Sequence, residues 1–344
     1  MRVPEALNPE FAKFLREVGP DRRLPLAIRR FMTEVGHAQP VLAMQFAAGR
    51  VIDAYEAAFR PSVSSSPQPL QQAPLEFLPG REYISVQLLC ELLNVGLVGA
   101  PARHEPVAEA AYRIAIGEGC SASVEFLEPR PIVRLPHGIG WQRGRVAAAH
   151  EIGHVLIHKR AKGYDAATIR LGSSPQEEVL AEYAARLLLV PKKLYGRWLH
   201  ASQSVNYAQQ AVKIAKQAQV SLHTATARLG DPDVGNRTIL GAILWRNAKR
   251  FSQAEPVMEP HWHLCPGAYV PVGRCTARRS SLTADLALGE RRAADSRIEQ
   301  VSVGTLQGTF RVDAFAWGST TNRTRAVLSV FRSDPAQATV SRAS

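Results

Sequence analysis

The fold is decided by one stretch of the chain, Ala149-His150-Glu151-Ile152-Gly153-His154. On a helix, His150 and His154 lie one turn apart on the same face, so both imidazoles can point at one position in space. Imidazole nitrogens are common zinc ligands, and two of them from adjacent turns supply half of a four-ligand site. The carboxylate of Glu151 can then take a proton from a water molecule activated by the metal. The stretch therefore predicts a metal site with a neighbouring general base.

The residues around this stretch favour a buried helix, predicted over Trp141–His158. Alanines precede the first histidine at 147–149, Gly153 permits a close approach, and residues 155–157 are Val, Leu and Ile. The same five-residue pattern also arises on ordinary solvated helices, where it has no metal. Buried polar side chains need partners, however, and the apolar setting therefore favours the metal site.

A second predicted helix offers the third ligand. A catalytic zinc ion usually has three protein ligands and an open position for water. This helix begins near Ser174-Pro175 and ends before Pro191. Glu178 and Glu182 are one turn apart on it, so either could face the metal with the other beside it. Both could also be solvated charges on the outer face of the helix.

Two further side chains are candidates to line the cleft. His158 follows His154 by four positions, too few for a third histidine ligand brought back by a glycine turn. We expect His158 to line the cleft or to contact one of the metal-binding side chains. His158 and Tyr195 are also candidate donors to the oxyanion that forms during amide hydrolysis.

The two helices together carry a recognisable double motif. Ala149–His154 is followed about two dozen positions later by Glu-x-x-Ala-x-x-x-Ala-x-x-Leu-Leu-x-Pro, at residues 178–191. This combination resembles the ImmA/IrrE family of bacterial metallo-endopeptidases, over roughly residues 80 to 230. Aligning on the final proline places the family's third zinc ligand at Glu178. Members often have Asn in place of Glu182 and an aromatic residue in place of Ala184, so the chain departs from the family pattern there.

The resemblance implies a zinc-dependent endopeptidase with a small zincin-like core, built from the catalytic helix, a short β-sheet and the glutamate helix. The zinc ligands would be His150, His154 and Glu178, with Glu151 as the general base. The implied substrate is a specific cytoplasmic protein, a DNA-binding repressor of the helix-turn-helix type. Its cleavage would switch on stress-response or mobile-element genes.

Composition sets wider bounds on the chain. Its 344 residues are enough for two or three domains. We expect a cytoplasmic protein without membrane contact, because no run approaches the ~20 apolar residues of a membrane span and no secretion signal opens the sequence. Four scattered cysteines do not suggest a disulfide framework. The net charge of +12 is compatible with nucleic acid or an acidic protein as partner, and equally with solubility alone.

Periodicity and composition divide the chain into segments that together predict an α+β fold. The predicted segments are an N-terminal helical region at 1–60, a flexible linker rich in Ser, Pro and Gln at 61–80, the zinc peptidase core at 81–200, a helix-turn-helix-like segment at 201–235, a β-rich C-terminal domain at 236–335 and a disordered tail at 336–344.

Within the predicted core, two short strands precede the catalytic helix, at 123–127 and 131–135. An exposed sheet edge beside that helix could bind an extended peptide through main-chain hydrogen bonds. The sequence does not identify which strand forms the edge.

The helix-turn-helix-like pattern lies at 211–229, with Ser221 as the predicted N-cap of the second helix. The stretch 211–250 carries seven basic residues and two acidic ones. A DNA-reading helix usually presents several polar side chains to the bases, whereas residues 222–227 offer few. Structural packing is therefore favoured over operator recognition, and nucleic acid stays open as a partner without being favoured.

The C-terminal region is predicted to be β-rich, with strands at 239–245, 297–303, 309–317 and 326–331. Four potential metal ligands lie close in sequence in this region: His261, His263, Cys265 and Cys275. Their spacing matches no compact metal-binding knuckle, so a second metal site stays open but is not favoured.

Two other functions are compatible with these features. The chain could be a non-catalytic regulator that binds DNA through the helix-turn-helix-like segment. It could also be the trigger component of a toxin or phage-defence system, with its terminal regions binding partners. The sequence carries no signal for an oligomeric state.

Overall fold

The computed structural model describes seventeen stretches of the chain: residues 24–59, 83–99, 122–127, 129–136, 138–161, 163–165, 169, 173–200, 206–231, 233–234, 239–247, 258–264, 277, 281–288, 294–303, 306–317 and 326–333. The predicted linker at 61–80 and the predicted tail at 336–344 lie outside these residues. The described chain mixes helices and strands, consistent with the predicted α+β class. It divides into an N-terminal unit, residues 22–198 with 214–221, and a C-terminal unit, residues 199–213 with 222–344.

The N-terminal unit contains both helices of the double motif. Its elements in chain order are α1 (Leu26–Val35), α2 (Pro40–Phe59), α3 (Val86–Leu93), β1 (Gly96–Val98), β2 (Ser123–Glu125), β3 (Ile132–Arg134), α4 (Trp141–His158), β4 (Lys159–Arg160), β5 (Gly163–Tyr164), α5 (Pro175–Leu189) and most of α6 (Lys192–His200). The helix predicted over Trp141–His158 is confirmed as α4 with the same bounds. None of the helices in the described ranges is both long and apolar enough to cross a membrane.

Helix α4 is buried almost all round beyond its second turn. Its alanines favour helix formation, and Ile152, Val155 and Ile157 are fully buried. A helix that is apolar on every side belongs inside a protein rather than on its surface. The histidines and glutamate of the motif are thus set in an apolar helix, as the sequence predicts.

Helix α5 has clear start and stop signals. The hydroxyl of Ser174 accepts a hydrogen bond from the backbone N–H of Glu177, and Pro175 occupies the first turn, where it has no hydrogen bond to lose. The helix ends at Leu189, two residues before Pro191, since proline cannot donate to the helical ladder. The predicted bounds of the glutamate helix are confirmed.

A small sheet lies beside α4, with strand order β1-β3-β2. Strand β2 runs antiparallel to β3, with Val124 opposite Val133, which confirms the two predicted strands in shortened form. Strand β1 runs parallel to β3 on its other side. It was not predicted, because three residues are too few for a periodic pattern. Among the strands that the structure describes, β2 is therefore one edge of this sheet, and it packs against α4.

Helices α1 and α2 belong to the same unit as α4 and α5. The guanidinium of Arg30 in α1 pairs with Asp165 at 2.7 Å, just beyond β5. The amide nitrogen of Gln45 in α2 donates to the hydroxyl of Tyr183 in α5 at 2.7 Å. Helix α1 packs against α4, and α2 packs against α5. Residues 1–23 of the predicted N-terminal helical region lie outside the described residues.

The C-terminal unit is built on a five-stranded antiparallel sheet with strand order β7-β6-β10-β9-β8. The strands are β6 (Ile239–Asn247), β7 (Met258–Leu264), β8 (Ala294–Val303), β9 (Leu306–Trp317) and β10 (Ala326–Arg332). The four predicted strands are confirmed with slightly longer bounds. Strand β7 was not predicted, and its Pro260 is tolerated because an edge strand can lose one ladder hydrogen bond.

Helices complete this unit. Helix α7 (Tyr207–Ala218) contributes its first half, and α8 (Leu222–Leu229) and α9 (Leu282–Leu288) follow. Leu282 and Leu286 of α9 are buried against one face of the sheet, with Val312 and Phe331. The start of α7 is held to the sheet by Asp313, whose buried carboxylate accepts the backbone N–H of Tyr207 and pairs with Arg332.

Candidate metal centre

Three donor atoms from α4 and α5 converge at one point in the N-terminal unit. The Nε2 atoms of His150 and His154 lie 3.2 Å apart. The carboxylate of Glu178 lies 3.1 Å from the first ring nitrogen and 3.5 Å from the second. Among the described residues, this is the one group of three or more His, Cys, Asp or Glu side chains that could hold a metal ion. The convergence predicted from sequence is therefore present.

The donor atoms of His150, His154 and Glu178 form a triangle whose size fits a tetrahedral metal ion. Ligand atoms 2.0–2.2 Å from a central ion, at the tetrahedral angle, lie roughly 3.3–3.6 Å from one another. The three separations of 3.2, 3.1 and 3.5 Å agree with this requirement within the tolerance expected of a real site. The donor set, two imidazoles and one carboxylate, matches that of known catalytic zinc sites.

The hydrogen-bonding capacity of the three groups also points to a cation. If His150 carries its proton on Nε2 and donates to Glu178, then His154 Nε2 must be an acceptor toward His150. His154 then faces the Glu178 carboxylate as acceptor against acceptor, at 3.5 Å. No combination of neutral tautomers satisfies all three contacts, whereas one cation among them does.

The protonation states of the donors favour metal binding near neutral pH. Burial, followed by the neighbouring His154, lowers the pKa of His150, so that its ring is neutral. The neighbouring His154 is the main cause that lowers the pKa of Glu178 to about 2, so that this carboxylate is charged. Metal ligands must be deprotonated, and the two side chains are already in that state.

Glu151 lies beside the triangle and is held by the small sheet. It is buried, and its carboxylate accepts a hydrogen bond from the backbone N–H of Val124 on β2. Burial is the main cause that raises the pKa of Glu151 to about 7. Desolvation and a fixed donor are the surroundings in which a carboxylate serves as a general base near neutral pH.

Gly153 sets the distance between the two helices of the centre. A Cβ atom at this position would lie 2.7 Å from Ala181 Cα, 2.8 Å from its carbonyl oxygen and 3.0 Å from Ala184 Cβ. Carbon atoms in contact normally lie about 3.5–4.0 Å apart. Only glycine therefore lets α4 and α5 approach closely enough for Glu178 to reach the two histidines.

His158 lies outside the triangle, one turn beyond His154. Its Nε2 atom lies 3.3 Å from the carboxylate of Glu177, and both side chains are buried. The ring of Phe126, next to β2, packs edge-on against it at 5.3 Å between centroids. Glu177 is a neighbour that the sequence analysis missed, although Ser-x-x-Glu at 174–177 is a helix-capping signal that marks it.

The other two candidates have separate environments. Glu182 pairs with Arg186 at 3.2 Å on its own helix, so Glu178 rather than Glu182 occupies the triangle. It is still near enough for its charge to raise the pKa of His150. Tyr195 is buried in α6. Its role as an oxyanion donor stays a prediction, as does that of His158.

The second possible metal site falls partly outside the described residues. His261 and His263 lie on β7, where burial lowers the pKa of both rings. Cys265 and Cys275 lie outside the described residues. A second metal site at these four residues therefore stays an untested prediction that the sequence does not favour.

The second helix of the helix-turn-helix-like segment has little surface to offer. In α8, residues 224–229 are all buried. Arg228, counted above among the basic residues, is fully buried and pairs with Asp231 and Asp233. A helix enclosed in this way presents no row of side chains to a DNA groove. Its burial therefore favours a structural role for α8 over DNA recognition, as the sequence also does.

Comparison with known proteins adds little to this geometry. No protein-family model matches the sequence, and no curated protein matches it. Among solved structures, a Mycobacterium tuberculosis transcriptional regulator is similar to the chain with a TM-score of 0.39 and 11% identity, over 92% of this chain and 83% of that chain. So distant a likeness carries no conclusion about fold or function. What can be said of the chain rests on its own residues, and these place a candidate metal centre between α4 and α5.

Proposed function

We propose that the chain is a zinc-dependent endopeptidase of the ImmA/IrrE type, with a zincin-like core in its N-terminal unit. The observation that carries the proposal is the triangle of His150, His154 and Glu178 with the buried carboxylate of Glu151 beside it. Two imidazoles and one carboxylate leave a fourth position open, as in catalytic rather than structural zinc sites. The pattern on α4 and the position of Glu178 on α5 are those on which the family resemblance rests.

Zinc is the ion that best fits this donor set. Zinc accepts nitrogen and oxygen ligands in tetrahedral geometry, whereas magnesium and calcium prefer six or more oxygen ligands. When bound, such an ion supplies Lewis acidity toward a water molecule and toward a peptide carbonyl.

Glu151 is the proton carrier of the proposed reaction. Its carboxylate takes a proton from the attacking water and returns it to the nitrogen of the leaving amine, so that one group serves first as base and then as acid. The Val124 N–H holds this carboxylate beside the donors. Burial keeps bulk water from competing for the same proton.

Strand β2 is the proposed binding edge for the substrate. Because the Val124 N–H is directed at Glu151 rather than at β3, the Val124 carbonyl also faces away from β3. That carbonyl can accept a hydrogen bond from an extended peptide added alongside β2. The scissile bond would then lie against α4, at the level of Glu151.

The proposed substrate is a cytoplasmic repressor of the helix-turn-helix type, cut at one site. This proposal comes from the family resemblance alone. Selective cleavage of such a protein would release its target genes, including stress-response or mobile-element genes.

The test is cleavage of candidate repressors co-expressed with the chain, with fragments identified by mass spectrometry. Repressors encoded next to this chain are tried first. We expect one cut with the unaltered chain, none after chelation, and none with Glu151→Gln, which keeps the zinc. His150→Ala is the matched variant that loses both zinc and cleavage. Cleavage by a Glu151→Gln chain would remove Glu151 from the mechanism, and cleavage without metal would end the proposal.

The alternative of a DNA-binding regulator predicts salt-dependent, sequence-specific binding in a gel-shift assay. The burial of α8 gives this alternative no support. Specific binding by a chain that cleaves nothing would replace the peptidase proposal.

A further inference from the structure

A second contact between α4 and α5 lies beside the metal centre, deeper in the unit. His158 Nε2 and a carboxylate oxygen of Glu177 are 3.3 Å apart, with 5% and 4% of their side chains exposed. The two atoms lie within ion-pair distance, although the contact is not a hydrogen bond. His158 and Glu177 lie on different helices, and burying two such polar groups costs free energy unless they stabilise each other.

Both oxygens of the Glu177 carboxylate have a named neighbour. One faces His158, and the other accepts a hydrogen bond from the Ser174 hydroxyl at 3.2 Å. The same hydroxyl accepts the backbone N–H of Glu177 and so caps α5. Glu177 therefore ties the first turn of α5 both to its own cap and to the end of α4.

Glu177 is also the residue before the third metal donor. Successive residues of a helix are 100° apart around its axis, so a fixed direction for Glu177 fixes the direction in which Glu178 leaves the helix. Glu178 itself is 47% exposed and has a long side chain, so burial does little to hold it. On α4, His158 lies one turn beyond the donor His154, on the same face of the helix.

We infer that the buried contact between His158 and Glu177 is a positioning device for Glu178, which sets the rotation of the first turn of α5 so that this carboxylate reaches the metal. The inference rests on the proposed metal centre. In this scheme His158 and Glu177 act on the metal site through Glu178 and do not touch the metal. Support of this kind around metal ligands typically contributes 10- to 100-fold in affinity.

A purely structural role for the pair predicts something different. Removing it would then lower the stability of the N-terminal unit and leave the metal affinity of the folded chain unchanged. Metal affinity of the folded chain therefore separates the two roles, and melting temperature alone does not.

The experiment measures Zn²⁺ affinity of the full chain by competition with a chelator of known affinity, together with the visible spectrum of the Co²⁺-loaded chain. The variants are Glu177→Gln, which keeps the volume but loses the charge, and His158→Leu, which removes the ring nitrogen. His158→Gln retains an N–H donor toward Glu177 and serves as the conservative rescue. Asp165→Asn is the matched control, since it removes another buried carboxylate of the unit, one that pairs with Arg30.

We expect Glu177→Gln and His158→Leu to weaken Zn²⁺ binding by roughly 10- to 100-fold and to alter the Co²⁺ spectrum. His158→Gln should recover most of the affinity, and Asp165→Asn should lower only the melting temperature. Unchanged Zn²⁺ affinity in a folded Glu177→Gln chain would overturn the positioning role, as would a Glu177→Gln chain that does not fold. Failure of the unaltered chain to bind Zn²⁺ through His150 would instead overturn the metal centre itself.

Discussion

Replacing Gly153 by alanine tests the packing on which the proposed metal centre depends. The added Cβ would lie 2.7 Å from Ala181 Cα, about 1 Å closer than carbon atoms normally approach. Two of its three close contacts are backbone atoms, which cannot rotate away. We therefore expect α4 and α5 to separate by about 1 Å, since that is the distance needed to relieve the clash.

The expected cost follows from this displacement. Overpacking of a well-packed interior typically destabilises by about 1–3 kcal/mol. The gain in helix propensity from glycine to alanine, about 1 kcal/mol, offsets part of it. Glu178 now lies 3.1 and 3.5 Å from the two ring nitrogens, and a shift of this size removes it from tetrahedral range. Zn²⁺ affinity should therefore fall by about tenfold or more, as when the support of a ligand is lost.

The assay pairs denaturant unfolding with Zn²⁺ competition on two alanine variants. Gly49 lies on α2, exposed, and a Cβ there meets nothing within 4 Å. Gly49→Ala should raise the free energy of unfolding by about 0.5–1 kcal/mol, because only helix propensity changes. Gly153→Ala should lower both stability and metal affinity. Adding Ala184→Gly should not restore them, since the contacts with Ala181 remain.

The contrary result is a Gly153→Ala chain that is as stable as the unaltered chain and binds Zn²⁺ equally well. That result would mean that the distance between α4 and α5 does not govern the position of Glu178.

Three other predictions concern separate parts of the chain. Glu178→Ala should abolish stoichiometric Zn²⁺ binding measured by calorimetry, and Glu182→Ala should retain it; the reverse order would exchange their roles. Burial raises the pKa of Cys90 to about 12 from an ordinary value of 9.0, so stability is retained below pH 9 and lost toward pH 12 as the unfolded thiol ionises. Melting curves should show this loss of stability, which is at most about 1.4 kcal/mol per pH unit. Cys90→Ala should remove it, so an equal fall in stability with pH in the unaltered and the substituted chain would contradict the prediction. Arg228→Met should lower the free energy of unfolding by about 3–5 kcal/mol, because Asp231 is left buried without its cation; a change under about 0.5 kcal/mol, typical of surface sites, would disprove that burial.

Much of the candidate site could be predicted from the sequence because its signals are local. Four residues separate His150 from His154, and helical geometry alone puts them on one face. Ser174 and Pro191 bracket α5 through capping and the missing proline N–H, which act within a few residues. Alternation of apolar residues likewise marked four of the strands in the C-terminal sheet.

The choices that local signals left open were made by packing. Glu178 and Glu182 share a face of α5, so their spacing could not select the third donor; the close approach of Gly153 to Ala181 brings the first of them to the histidines. Likewise, β2 became the edge facing Glu151 only through the pairing of strands distant in sequence.

The sequence by itself determined the two helices that carry the candidate donors, the ends of those helices and the chemical type of each donor. Only the tertiary structure decided which carboxylate completes the triangle, which strand flanks it and that α8 is enclosed. The reason is physical: hydrogen bonds within a helix are set by neighbouring residues, whereas the meeting of two helices depends on side-chain volumes tens of residues apart.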